Sequence, residues 1–246
     1  MFLALDLGNT SIKAGVFDQG NLVFHSHLDH PAVATIKTYQ AWLKPMFEKY
    51  QIKEIGLASV KPALRHLIVK ALAQLTTHQP RFITRKDYPK FTIRINQPDE
   101  LGIDLIVDGV AAQALYQSEA IIIDLGTATK VMAIHDRGFE GVAIAPGILT
   151  SFKALNQNAA LIQTMNITKP KEVFGKSTEQ ALASGIILGQ VHMIEGLIKQ
   201  GMKAFQRQNP TIVITGGYAP LLLPYFSLKL VHEPNLSLKG IQLCQR

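Results

Sequence analysis

Short apolar runs bounded by turn residues alternate along the chain with longer segments of helical spacing. Runs at 2–7, 12–17 and 21–27 are broken by Gly8-Asn9 and by Asp18-Gln19-Gly20, which predicts a β-hairpin with a third strand following. The same reading holds for 120–125, 129–135 and 139–145. After each trio the period turns helical. Helices are predicted over 35–50 and 62–75, with a strand Glu54–Ser59 between them and Pro62 in the first turn of the second. A helix over 99–116 follows, with Asp99 as its candidate cap. Further helices are expected near 147–160, 177–207, from Pro220 and near 235–244, with a strand Thr211–Thr215.

The two strand trios are copies. Leu3-Ala4-Leu5-Asp6-Leu7-Gly8 runs on to Asp18 and Gly20, and Ile121-Ile122-Ile123-Asp124-Leu125-Gly126 runs on to Asp136 and Gly138, 118 residues later. An internal repeat of half the chain implies one unit built twice. Three antiparallel strands followed by alternating helices and strands, twice over, predicts an α/β fold. It would have duplicated ribonuclease-H-like domains with mixed sheets, as in actin, Hsp70 and the sugar kinases, by fold-level analogy. The halves are expected at 1–118 and 119–246, with a nucleotide-phosphate site in the cleft between them.

Composition narrows the classes. With 47% apolar and 17% charged residues, a packed core is expected. No apolar run is long enough to predict a membrane span, and none at the start suits a signal peptide. One cysteine, Cys244, excludes an internal disulfide and favours a reducing cytoplasm. The net charge of +7 comes from scattered lysines and arginines. That argues against nucleic acid and suits small anionic substrates.

Asp6 and Asp124 each end an apolar strand just before a glycine turn. A carboxylate there repels phosphate but can hold Mg²⁺, which bridges phosphate oxygens. Gly8 and Gly126 would turn the backbone and aim N–H groups at the anion, and the hydroxyls of Thr10, Thr127 and Thr129 could add hydrogen bonds. An ordinary hairpin turn explains one such motif; two in register point to function. Gly216-Gly217 after the Ile212–Ile214 strand could lie against a base and ribose, or simply turn the chain. Gly175-Lys176-Ser177-Thr178 resembles the end of a P-loop, but the first glycine is replaced by Pro170 and no strand leads in. Thr178 could cap a helix or contact substrate. Asp104, after Gly102-Ile103, could be a general base or a charge favoured by a helix N-terminus. The eight histidines show no metal-ligand spacing.

Taken together in order and spacing, these blocks resemble the type III pantothenate kinase family over nearly the whole chain. The matching residues are Asp6-Leu7-Gly8-Asn9-Thr10 with Lys13, Ala58-Ser59-Val60-Lys61-Pro62, Gly102-Ile103-Asp104, Asp124 to Thr129, Ile144-Ala145-Pro146-Gly147-Ile148, Gly175 to Thr178, Thr215-Gly216-Gly217 and His232 to Leu236. The resemblance implies ATP-dependent phosphorylation of the pantothenate hydroxyl, the first step of coenzyme A synthesis. It also implies a homodimer, Mg²⁺, and a monovalent cation such as K⁺ or NH₄⁺. By position, Asp6 and Asp124 would handle metal and phosphate, with Gly8, Asn9, Thr10, Lys13, Gly126, Thr127 and Thr129 on the phosphates. Gly216 and Gly217 would lie by the adenosine. Asp104 would be the base, with Gly102 and Thr178 on the substrate.

The chain departs from the family pattern at Leu105 (arginine expected), Ile95 (tyrosine), Lys130-Val131-Met132 (Thr-x-Asp) and Gly141-Val142 (Gly-Gly). The arginine is the natural partner of a substrate carboxylate, and leucine cannot replace it. Lys130 is the candidate for compensation. Two other readings stand beside the kinase. One is a non-catalytic nucleotide-binding regulator; the other is a kinase for another small hydroxylated substrate.

Overall fold

The computed structural model describes residues 1–88, 90–116, 119–158, 168–204 and 209–244. Parts of three expectations lie outside the described residues: helix ends at 159–160 and 205–207, and the boundary at 117–118. The chain forms two compact units, Met1–Leu115 joined by the tail from Asn235 onward, and Tyr116–Pro234.

In the first unit, strands β1 (Phe2–Leu7), β2 (Ser11–Asp18) and β3 (Asn21–Asp29) precede helix α1 (Ile36–Lys49), β4 (Glu54–Ser59), α2 (Pro62–Ala73) and the short β5 (Arg81–Phe82). A two-residue strand β6 (Thr92–Ile93) and helix α3 (Ile103–Tyr116) follow. The sheet order is β3-β2-β1-β4-β5. β1 pairs antiparallel with β2 and parallel with β4, so it is the central strand, buried on both faces. Leu3, Leu5 and Leu7 join Ile12, Ala14 and Val16 in a core capped by Tyr39, Leu43 and Met46 of α1 and Leu64, Ile68 and Leu72 of α2. Thr35 caps α1 by accepting the Thr38 N–H, and Pro62 opens α2 as expected. Strand alternation sends Phe2, Ala4 and Asp6 to the opposite face.

The second unit repeats the plan. Strands β7 (Glu119–Leu125), β8 (Ala128–His135) and β9 (Gly138–Pro146) precede α4 (Ile148–Asn158), α5 (Thr178–Ala183), α6 (Gly189–Ala204), β10 (Thr211–Thr215), α7 (Ala219–Leu222) and β11 (Val231–His232). These strands lie in the order β11-β10-β7-β8-β9, the first unit's order again, with β7 parallel to β10. One π turn, Ser184–Leu188, joins α5 and α6 into a continuous helical stretch, Thr178–Ala204. That stretch is long and apolar enough to cross a membrane by length and composition. Here its apolar stripe, Ile187, Val191, Ile194 and Ile198, is buried in the unit's core against Ile121, Ile123 and Ile214.

The repeat is real but shifted. In the first hairpin Leu7 pairs with Ile12; in the second Leu125 pairs with Thr129, so the second turn is one residue shorter. The copies are therefore offset by 118 residues before the turn and by 117 after it. Both bulges obey the new offset, at Val16/Phe17 and Ala133/Ile134. So do the next turns. Gln19 and Gly20 have φ of 47° and 87°, and Asp136 and Arg137 have 41° and 56°, the positive pair of a tight hairpin turn. The structural counterpart of Asp18 is thus His135, not Asp136. The expected Asp/Gly match downstream was a coincidence of spacing.

Two other expectations change. Helix α3 starts at Ile103, because Pro98–Glu100 forms a separate 3₁₀ turn and Asp99 pairs with Arg85 instead of capping. The last helix, α8 (Leu236–Leu243), was expected in the second half but packs on the first sheet. Its Leu238 and Ile241 reach Gly15 and Gly56, and Gly240 lies so close to the Val107 backbone that a Cβ would sit 2.0 Å from its carbonyl oxygen. Apolar burial against β1 and β2 outweighs proximity in sequence.

Candidate active site

In the first unit, β1 delivers Asp6 on the face covered by α8, where the Ser237 hydroxyl donates to Asp6 Oδ2 at 2.7 Å. Lys13 stands directly across the hairpin from Asp6. The Gly8 N–H closes the turn onto the Ser11 carbonyl at 3.0 Å, so it is not one of the groups offered to an anion. Asn9 and Thr10 form the exposed tip. The Gly8 carbonyl accepts from His30 Nε2 at 3.0 Å, the Asn9 carbonyl from Lys61 Nζ at 3.1 Å, and the Thr10 carbonyl from the His30 N–H at 2.8 Å.

In the second unit, Asp124 and Lys130 stand opposite each other in register, and Lys130 Nζ donates to Asp124 Oδ2 at 2.8 Å. The Gly126 N–H closes its own turn onto the Ala128 carbonyl at 3.1 Å. Thr127 is exposed at the tip, and its carbonyl accepts from the Gly147 N–H at 3.1 Å and the Thr150 hydroxyl at 2.6 Å. Thr129, expected on phosphate, points the other way. Its hydroxyl is buried and donates to Gln190 Oε1 at 2.6 Å, while Gln190 Nε2 donates to the Pro146 carbonyl at 2.6 Å. Strand alternation explains the difference, since Thr129 shares a face with Val131 and the core, and Lys130 shares one with Asp124.

Gly216 has φ +93°, and a Cβ there would lie 2.4 Å from the Leu125 carbonyl oxygen. Its absent side chain lets β10 close on the strand that carries Asp124. Gly217 has open space around its Cα, as a flat ligand needs.

Asp104 sits in the first turn of α3 and is half-buried. A Cβ on Gly102 would come within 2.4 Å of Asp104 Oδ1, so the glycine makes room for the carboxylate. Leu105 is 6% exposed and belongs to the core. Thr178 is the exposed first residue of α5; Ser177, not Thr178, caps that helix by accepting the Gln180 N–H at 3.3 Å.

The two carboxylates differ in the partners seen. Asp6 Oδ2 accepts from the Ser237 hydroxyl. Asp124 Oδ2 already accepts from the Lys130 ammonium, which a metal there would have to displace or share. Among the described residues no cluster of three or more His, Cys, Asp or Glu side chains could hold a metal. A cavity of about 170 Å³ in the first unit is lined by Phe2, Glu54 and Arg81 at the starts of β1, β4 and β5, the ends away from Asp6.

Sequence reasoning missed His30, Ser237 and Gln190 as partners of these hairpins, and left Lys61 without a role. Lys61 was visible inside the Ala58–Pro62 block; nothing in the spacing marks the others.

The sequence profile of the type III pantothenate kinase family matches residues 2–200. A type III pantothenate kinase of Bacillus cytotoxicus is 33% identical over 249 residues, covering 99% of this chain and 95% of that protein. The chain belongs to this family. Among solved structures, a Campylobacter jejuni protein provisionally described as a Baf family transcriptional activator superposes with a TM-score of 0.62 at 21% identity, covering 98% and 96% of the two chains. A ROK family glucokinase of Streptomyces griseus, in complex with glucose and AMPPNP, gives 0.52 at 11% identity over 98% and 97%. At those identities the structures show the fold alone: this chain has the architecture of the sugar kinases.

Proposed function

We propose that the protein transfers the γ-phosphoryl group of ATP to the primary hydroxyl of pantothenate, giving 4′-phosphopantothenate. The observation that carries this reading is the repeated hairpin, an aspartate ending each central strand at a glycine turn, in a chain of this family. Asn9 and Thr10 at one tip and Thr127 at the other supply donors to the phosphates. Asp6 would hold Mg²⁺ directly or through water, which would supply positive charge to offset that of the phosphates. Lys130 adds a fixed positive charge beside Asp124. Asp104, with Gly102 beneath it, accepts the hydroxyl proton as the acceptor oxygen attacks phosphorus. Gly217 borders the adenosine and Thr178 the acceptor.

The monovalent cation, the homodimer and a cytoplasmic location belong to this reading through the family. Val173 and Phe174, 65% and 87% exposed just ahead of Ser177, support a partner surface. One observation favours a second reading. Leu105 is buried where a carboxylate-binding arginine is expected, which suits an acceptor lacking a carboxylate. Coupled ADP release with pantothenate, with pantetheine and with no acceptor tests both. Turnover only with pantothenate supports the first reading, turnover only with pantetheine the second, and no turnover with either overturns the kinase.

A further inference from the structure

Three consecutive carbonyls at the first hairpin tip are each engaged by a donor from outside the turn. Gly8 accepts from the His30 ring, Asn9 from the Lys61 ammonium, and Thr10 from the His30 backbone. A trans peptide is planar, so its C=O and the next N–H point in opposite directions. Fixing these carbonyls therefore fixes the N–H groups of Asn9, Thr10 and Ser11 on the far side of each peptide plane. A backbone cradle for phosphate needs this arrangement, because a carbonyl turned toward the anion would repel it. Gly8 makes the issue sharp: a glycine turn rotates easily, and its entropy must be removed for the N–H groups to be preorganised.

We infer that His30, held by Tyr39, and Lys61 are positioning residues that set the first hairpin as a phosphate cradle. The clamp rests on the nucleotide-binding reading above. Its chemistry is directional. A carbonyl only accepts, so His30 Nε2 must carry the proton toward Gly8. Nδ1 then faces the Tyr39 hydroxyl, 3.1 Å away. Tyr39 is fully buried, and burial raises its pKa, so that hydroxyl keeps its proton. Tyr39 lies on α1 and Lys61 at the start of α2, so both helices that cover the core also brace the tip.

The test is calorimetric binding of MgATP and of inorganic tripolyphosphate to the full chain, with steady-state kinetics alongside. His30→Leu should weaken both ligands roughly tenfold, about what one lost hydrogen bond is worth, and leave the pantothenate KM unchanged. His30→Gln, which restores a donor near Nε2, should recover most of the affinity. Lys61→Met removes a surface contact without touching the core and should weaken both ligands by a similar factor. Wild-type affinity in His30→Leu and Lys61→Met, or equal loss in His30→Leu and His30→Gln, overturns the clamp alone. Absence of binding of either ligand to the wild type overturns the clamp together with the functional reading beneath it.

Discussion

Lys130 Nζ lies 2.8 Å from Asp124 Oδ2, with the two side chains 18% and 16% exposed. The pair is shielded enough that removing one charge strands the other. Lys130→Ala should therefore lower unfolding stability by about 1–3 kcal/mol, between the values for exposed and buried pairs. Added Mg²⁺ should restore more of the melting temperature in the variant than it adds to the wild type, since Asp124 then accepts a metal. Equal Mg²⁺ responses in a thermal-shift titration would show that Lys130 does not occupy a cation's place.

The proposed role of Asp104 as base can be tested together with the room that Gly102 leaves for its carboxylate. Asp104→Asn should cut the maximal rate by about 10²–10⁴-fold, the usual worth of a general base, with ATP binding nearly intact. Gly102→Ala should do part of the same damage by displacing the carboxylate, while its melting temperature stays close to wild type. A loss of ATP affinity with an intact rate in both variants would make Asp104 a helix-end charge only.

Leu105 invites a repair that the structure argues against. Restoring the family's arginine looks helpful from sequence, but the side chain is buried in the core at 6% exposure. Leu105→Arg should destabilise by several kcal/mol, roughly the cost of an uncompensated buried charge. It should not lower the KM for pantothenate. A lower KM in a folded variant would mean that the cation escapes to the site.

These three cases show what a linear reading resolves. The strand trios, the central placement of Asp6 and Asp124, and the helices over α1, α2 and α3 follow from hydrophobic period and turn chemistry, both local properties. The inward turn of the Thr129 hydroxyl was not legible because the face of a strand residue depends on register, and the second turn is one residue shorter than the first. The packing constraint on Gly216, a backbone approach to Leu125, is a tertiary fact that no local pattern carries. Ser237 meets Asp6 across 231 residues of sequence, a separation at which no periodicity speaks.

The Cys244 thiol sits against the Tyr88 hydroxyl and the Gly240 carbonyl, both groups buried. Burial is the largest cause in each case; it pushes the Cys244 pKa from 9.0 up to about 12 and raises Tyr88 as well. Each holds its proton more tightly when folded. Their contribution is complete below the unfolded thiol value and fades as pH climbs from there toward about 12. Denaturation midpoints measured from pH 8 upward should fall, and the fall should be shallower in Cys244→Ala. Parallel slopes would exclude the pair as the source.

Gly216 and Gly217 should part company under substitution. Gly216→Ala meets both a positive φ and the Leu125 backbone, and should cost at least about 1–3 kcal/mol in stability. Gly217→Ala has room for its methyl group and should fold normally, with any penalty confined to nucleotide affinity. Equal melting temperatures for the two variants would contradict the close approach of β10 to β7.

The return of α8 to the first sheet also orders events in time. A ribosome makes β1 long before α8, yet the α8 face of that strand, with Phe2, Ala4 and Asp6, is covered only when both are present. The second unit, Tyr116–Pro234, emerges whole before the first can be completed. The nascent chain thus carries an unfinished apolar surface until α8 emerges, and a message cut ahead of Ser237 would release a protein with Asp6 already made but its serine partner never encoded.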